Sequence, residues 1–461
     1  MRVAVVGAGP AGVRAVGQLV RAGLHPLWID EAPDGGGRIY QRPPPGFRRS
    51  PQALYGLEAR KATALHAALD ALKPRADWRP DTLVWNIATH PGRLNLMRDG
   101  VATEQGFDAA ILCTGAMDRV VPLPGWTRPG VTTLGAAQIA LKAQGCAIGR
   151  RVALVGSGPL LWLVAYQYLK AGAGLAAVLD TTAFRRKLQA LRGLPHDPAT
   201  LAKGLFYVAR LRAAGIPVAE GATPLAIEGE APDAVGALRW RDAAGREHRL
   251  ECDAVGLGWG VRPELQLADL AGVPIGFDPM QHNWVPQRDL TGRTPVDGIY
   301  LAGDGAGIGG AAVAELAGAR AAQALLADAG LPVDTALVAR LERRLLRQAR
   351  FRTALERAFP FPAHLAAAMP DETILCRCES VTAGELRAAA APDGPHGASP
   401  EVNRAKAFTR IGMGRCQGRV CGAAAAEVLA ARLGCDTAAI GRLRGQPPVK
   451  PLPIPQPEAA P

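Results

Sequence analysis

Apolar residues in this chain come in short runs that stop at glycine and then give way to helical spacing. In "RVAVVGAGPAGVRAVGQLVRAGLHPLWIDEAP" (2–33), an apolar run meets a glycine turn, a stretch with apolar positions on one face follows, and a second apolar run ends in acid. That order predicts strand, helix and strand, a βαβ unit. "RRVALVGSGPLLWLVAYQYLKAGAGLAAVLD" (150–180) repeats the plan. Between the two, "FDAAILCTGAMDR" (107–119) reads as a buried strand ending at a glycine turn. After them, "DGIYLAGDGAGIGGAAVAELAGARAAQAL" (297–325) reads as strand, turn and alanine-rich helix.

Two such units imply two Rossmann-like domains, and the position of the later strand implies that the second is inserted in the first. The expected fold is α/β. Residues 1–120 and 257–330 form one dinucleotide-binding domain and 121–256 the other. A helical connector (331–370) leads to a small, mostly helical domain (371–436), and a proline-rich tail (437–461) is expected to be extended and mobile.

Composition supports this organisation: hydrophobic residues are 48%, charged residues 20%, and there are 54 glycines. The net charge of +12 invites nucleic acid, but aromatics are only 5% and no basic stripe alternates with stacking residues. Anionic cofactors are the better reason for the charge. No apolar run approaches the roughly 18 residues of a membrane span, so a cytoplasmic protein is expected, with a peripheral place at the inner membrane left open. In a reducing compartment its cysteines are thiols or metal ligands.

The first glycine turn carries chemistry. Gly7, Gly9 and Gly12 fit G-x-G-x-x-G between strand and helix, where Gly7 permits the turn, Gly9 the approach of a pyrophosphate to N–H groups, and Gly12 close helix–strand packing. Glu31 ends the next strand, placed to accept hydrogen bonds from a ribose diol. Farther on, Asp304 ends another strand. There it can hold a ribityl or phosphate-side hydroxyl, while the helix beginning near Gly310, Ala311 and Ala312 points its N-terminus toward the same ligand.

The second turn has Gly156 and Gly158, but Leu161 replaces the third glycine. Asp180 closes the following strand, so NAD(P), another adenine nucleotide and an empty site all remain open. No C-x-x-C pair exists for thiol–disulfide exchange. His282 in "MQHNW" is a candidate acid or base near a flavin, but a loop histidine is more often structural, so the catalytic acid and base are unassigned.

Of eight cysteines, four form C-x-C (Cys376, Cys378) and C-x4-C (Cys416, Cys421). Four thiolates suit zinc or an iron–sulfur centre, and neither pair has the C-x2-C spacing of usual zinc knuckles. Arg377, Arg410, Arg415 and Arg419 crowd these cysteines in sequence, and Arg377 is the first candidate to stabilise an anionic centre.

The motifs "GAGPAG", "IDEAPDGGGRIY", "ILCTGAMDR" and "GIYLAGDGAG" resemble the successive FAD motifs of the two-dinucleotide-domain flavoproteins that include thioredoxin reductase. "ILCRCESVTAGEL" and "AFTRIGMGRCQGRVCG" resemble the [2Fe-2S] domain related to bacterioferritin-associated ferredoxin, in the form carried by α-subunits of opine oxidases, hydroxyproline dehydrogenases and hydrogen cyanide synthase. The resemblance implies FAD held by Gly7, Gly9, Pro10, Ala11, Gly12, Glu31, Gly37, Thr114, Gly115, Gly303, Asp304 and Gly310–Ala312. It puts Arg38, where relatives commonly carry Gln, on the flavin side. It further implies a [2Fe-2S] cluster on Cys376, Cys378, Cys416 and Cys421. The implied partners are a flavin-bearing β-subunit, a small γ-subunit in some assemblies, and an external electron acceptor. The implied role is electron transfer in an amine or amino-acid dehydrogenase of opine or hydroxyproline type. The competing readings are a self-sufficient NAD(P)H-dependent reductase and a zinc-stabilised FAD-binding protein of assembly.

Overall fold

The computed structural model describes residues 1–193, 195–230, 234–390 and 401–453. The end of the proline-rich tail, 454–461, lies outside them.

Two five-stranded parallel sheets form the frame. The first runs Ile299–Leu301, Ala109–Leu112, Val3–Val6, Leu27–Ile29, Asp77–Arg79 in spatial order. The second runs Val218–Glu220, Leu175–Asp180, Val152–Ser157, Ala254–Trp259, Val131–Thr133. In each, the strand that enters the glycine turn is central and buried along its length, which is why it reads as continuous apolar sequence. Each domain also carries a three-stranded antiparallel sheet, Leu83–Thr89 with Gly92–Arg98 and Val101–Gly106, and Thr223–Glu228 with Ala237–Arg241 and Glu247–Glu251.

The chain crosses between domains on two short strands, Ala116–Asp118 and Val261–Pro263, paired antiparallel. All of Ala254–Trp259 is hydrogen-bonded into the second sheet, so the return falls after Trp259 rather than at 257.

The helix Thr335–Ala358 starts at Asp334, whose side chain accepts from Leu337 N–H. Past it, a hairpin (Ile374–Cys376, Val381–Thr382) and the helices Ala383–Ala389, Val402–Thr409 and Gly422–Leu433 build the C-terminal module. Thr382 and Glu385 form a reciprocal capping box that fixes the chain just after the first cysteine pair. Among the described residues the module's core is continuous with that of the second domain: Leu375, Val428 and Leu429 share one apolar cluster with Val155, Leu179 and Trp126. Trp126 Nε1 adds a 2.6 Å hydrogen bond to Ile374 O.

The tail differs from its sequence expectation. Ile440 is buried, and residues 442–450 return to the first domain instead of moving freely. Arg442 makes a bidentate ion pair with Asp269, Val449 N–H donates to Trp85 O at 3.0 Å, and Lys450 reaches Glu31. Proline makes a segment extended, but one buried valine and two ion pairs are enough to pin it.

Candidate functional site

Between the two domains lies a cavity of about 1150 Å³. Gly7, Gly9, Pro10 and Ala11 from the first turn line it, as do Glu31, Gly37 and Arg38. Thr114, Gly115, Gly303, Asp304, Gly310, Ala311 and Ala312 complete the set that the resemblance groups together. Gly12 is buried behind the turn: a Cβ there would stand 1.9 Å from Gly7 O, and one on Gly7 (φ +105°) 2.3 Å from Cys113 O. Only glycine lets the helix Pro10–Arg21 begin so close to the strand. That helix has no side-chain N-cap and no acid in its first turn, so its N-terminal N–H groups are open to a pyrophosphate.

Asp30, to which the sequence reading assigns no role, is the residue that holds this turn. Its carboxylate accepts from Ala8 N–H (2.5 Å) and Ala32 N–H (2.8 Å) and, mainly through burial, its pKa is raised. The signal in the sequence is two consecutive acids, since neighbours at a strand end point to opposite sides. Glu31 faces the cavity. Burial works against its charge, but Lys450, Arg38 and Arg419 outweigh that and hold its carboxyl below the ordinary range. Arg38 also lines the cavity, with its Nη2 3.1 Å from Glu31 Oε1.

Asp304 Oδ1 accepts from Gly309 N–H (2.9 Å) and Gly310 N–H (2.8 Å), shaping the loop that opens the helix Ala311–Asp328. Thr114 Oγ1 donates to Glu264 O (2.8 Å), and Glu264 N–H to Gly115 O (3.0 Å), which ties the cavity wall to the crossing strand. A further buried carboxyl in the wall, Asp118, accepts from Thr133 Oγ1 (2.5 Å) and Gly135 N–H (3.1 Å); burial raises its pKa.

The second turn is built differently. Gly156, Gly158 and Asp180 do not line the cavity. Asp180 is fully buried, its Oδ2 lies 2.6 Å from Lys187 Nζ, and its Oδ1 accepts from Thr182 N–H. Lys187 is itself packed over the Trp162 ring at 4.8 Å and pairs with Glu220. The carboxylate that a ribose diol would need is therefore engaged from within the protein, and Leu161 is buried where close helix–strand packing would need glycine.

The four cysteines converge. Cys376 and Cys421, Cys416 and Cys421, and Cys378 and Cys416 interact through their thiols. Hydrogen bonding from Cys421, opposed by burial and aided by the N–H groups of Gly412, Glu379 and Cys378, lowers Cys376 to about 6. The N–H groups of Val420 and Gly418 point likewise at Cys416. Such inward N–H donors suit sulfur that carries charge. The approach is tight, since a Cβ on Gly414 would stand 2.4 Å from Cys378 Cβ. Four interacting thiols with backbone N–H groups turned toward them are the ligands that a thiolate-bound two-iron centre requires. The donor set fits the cluster.

Residues 1–333 match the family model described as pyridine nucleotide-disulphide oxidoreductase. The chain belongs to that family. Residues 374–431 match the BFD-like [2Fe-2S] binding domain. Among curated proteins, an opine oxidase subunit of Rhizobium meliloti (strain 1021) is 37% identical, over 97% of this chain and 96% of that protein. The hydrogen cyanide synthase subunit HcnB of Pseudomonas aeruginosa is 30% identical, over 98% and 97%. The crystal structure of L-proline dehydrogenase from P. horikoshii matches with TM-score 0.72 at 20% identity, covering 98% of this chain and 78% of that one, and shows a common fold. The protein is thus an FAD-dependent oxidoreductase carrying a [2Fe-2S] domain.

Within this family the chain lacks the usual dithiol. Cys113 and Cys252 are buried, and burial pushes their thiols up to about 12 and about 11, which leaves them inert. His282 is not in the large cavity; its Nε2 lies 2.6 Å from Glu427 Oε1, on the helix that follows Cys421. No helix among the described residues is long and apolar enough to cross a membrane.

Proposed function

We propose that this chain is the electron-transferring α-type component of a heteromeric amine or amino-acid dehydrogenase of opine or hydroxyproline type. A separate flavin-bearing subunit oxidises the C–N bond, and this chain passes the electrons to an external acceptor. Support comes from relatives that are themselves named as subunits, one of opine oxidase and one of hydrogen cyanide synthase. FAD supplies a two-electron centre and the cluster a one-electron centre.

The residues divide the work. Gly9 and Ala11 offer the pyrophosphate N–H groups at the start of the helix, Gly7, whose own N–H donates to Ile29 O, and Pro10 shape the turn, and Gly12 makes room behind them. Glu31 accepts from the adenosine ribose, and Gly37 and Arg38 close that end. Thr114, Gly115, Gly303 and Asp304 face the ribityl side, and Gly310, Ala311 and Ala312 present a helix N-terminus. Cys376, Cys378, Cys416 and Cys421 hold the cluster.

One observation favours this reading over a self-sufficient reductase: Asp180 is fully buried beside Lys187 and does not line the cavity, whereas Glu31 does. Anaerobic mixing with NADH or NADPH should leave the flavin of the isolated chain oxidised. Co-expression with its flavoprotein partner, followed by addition of amines and amino acids, should reduce it. Bleaching by either nicotinamide nucleotide within seconds would establish the reductase instead.

A further inference from the structure

We propose that Arg262, on the strand that crosses between the domains, is the cation that sets the reduction potential of the four-cysteine centre. It lies 154 residues before Cys416 in sequence, and its neighbours there say nothing of sulfur. The inference holds whichever partner supplies the electrons, and it concerns only the cluster that the cysteine cradle fits.

Three side chains spaced two apart on one segment grip the loop between Cys416 and Cys421. Arg262 Nη2 donates to Arg419 O (2.8 Å) and Gly418 O (3.3 Å). Gln266 Nε2 donates to Gln417 O (3.2 Å). Glu264 Oε2 accepts from Arg419 Nε (2.8 Å). Arg262 lies on the strand Val261–Pro263, Glu264 follows it, and Gln266 opens the helix Gln266–Leu270, and the hydrogen bonds of all three meet on the same loop.

The charges do not cancel. Arg262 and Arg419 both look to Glu264, which leaves one positive charge in surplus at the loop. The other anions that act on Arg262 are Cys421 and Cys416 themselves. Its Nε is enclosed and makes no hydrogen bond, and the surface that the residue keeps faces a cavity of about 70 Å³. Desolvation disfavours such a charge, so an enclosed guanidinium with one nitrogen unpaired implies a diffuse anion nearby. A thiolate-bound two-iron centre is that anion. Its total charge goes from about −2 to about −3 when it accepts one electron, with no bond made or broken and no proton moved. A fixed cation therefore favours the reduced form.

The arginines adjacent in sequence are poorer candidates. Arg377 is exposed, with its guanidinium 5.7 Å from the Trp126 ring centroid, and Arg410 is exposed and neutralised by Glu379 at 2.8 Å. Arg415 is exposed as well. Water and salt screen all three.

Redox titration of the full chain, followed by EPR of the reduced cluster with iron and sulfide measured in parallel, tests the assignment. Arg262→Gln should lower the reduced-to-oxidised ratio at the wild-type midpoint about tenfold, a shift of roughly 59 mV for one electron. Arg262→Lys, which keeps the charge, should shift it by less than half as much. Glu264→Gln, which keeps an acceptor for Arg419 but removes the compensating charge, should move the potential the other way. A wild-type potential in cluster-replete Arg262→Gln, or equal shifts in the Gln and Lys variants, would overturn the proposal. Should Arg262→Gln fail to hold its cluster, Glu264→Gln decides: a raised potential upholds the assignment, and an unchanged or lowered one refutes it.

Discussion

Single residues in this protein are set by neighbours far away along the chain. Lys142 shows the consequence for stability. It is buried between the domains, donates to Ile39 O at 2.8 Å, and is lowered by that burial from 10.5 to about 7. Between those values the unfolded chain keeps a proton that the folded chain releases, so stability rises with pH across the interval, and the full cost of charging Lys142 is present below it. Lys142→Met removes this dependence. Its melting temperature relative to wild type should become more favourable by several degrees on going from about pH 10 to about pH 7, measured by calorimetry. Arg377 makes the complementary point. Sequence proximity to Cys376 and Cys378 nominates it, but it is exposed over Trp126 where water and salt screen it, whereas Arg262, distant in sequence, is bonded to the loop between Cys416 and Cys421.

Among helices, strands and turns, local sequence is a good guide because the relevant forces are local. Four consecutive buried residues before Gly7, and six from Val152, define the central strands. The turn after Val6 needs glycine because Gly12 packs against Gly7 O with no room for a methyl group. Gly12→Ala should therefore open the turn, and the purified variant should retain less than about a tenth of the wild-type flavin by absorbance. The second turn is comparable in sequence, and its spacing alone does not say whether it binds. Lys187, seven residues after Asp180, lies against its carboxylate, and no rule of spacing says that a lysine on a short helix will fold back onto the strand end. Asp30 is hidden in the sequence for a related reason: of two adjacent acids, only the geometry of the strand end tells which one holds the loop and which faces the ligand.

Across the whole molecule, the C-terminal module is built onto the other two domains. Its core merges with that of the second domain, its cysteine loop is gripped by residues 262–266, and its tail returns to the first domain at Trp85 and Glu31. Ending the chain after Gly445 would remove buried Val449 and the Lys450 contact while keeping the Arg442–Asp269 pair. Amide exchange across Leu83–Thr89 and the 416–421 loop should then quicken about tenfold, as expected for losing one buried aliphatic side chain. Unchanged exchange in both segments would mean that the tail only rests on the surface.

The α/β plan, the inserted second domain, the open first glycine turn and the four-sulfur set are all legible in the order of the residues. The first three follow from periodicity or from steric demands within a few positions, and the fourth from the spacing of two cysteine pairs. Packing alone decided that Asp180 is engaged, that Arg262 grips the 416–421 loop while Arg377 stays exposed, and that Lys450 reaches Glu31 across 419 positions. Those outcomes depend on which charges are buried together, and burial is a property of the packed chain, not of the order of its residues.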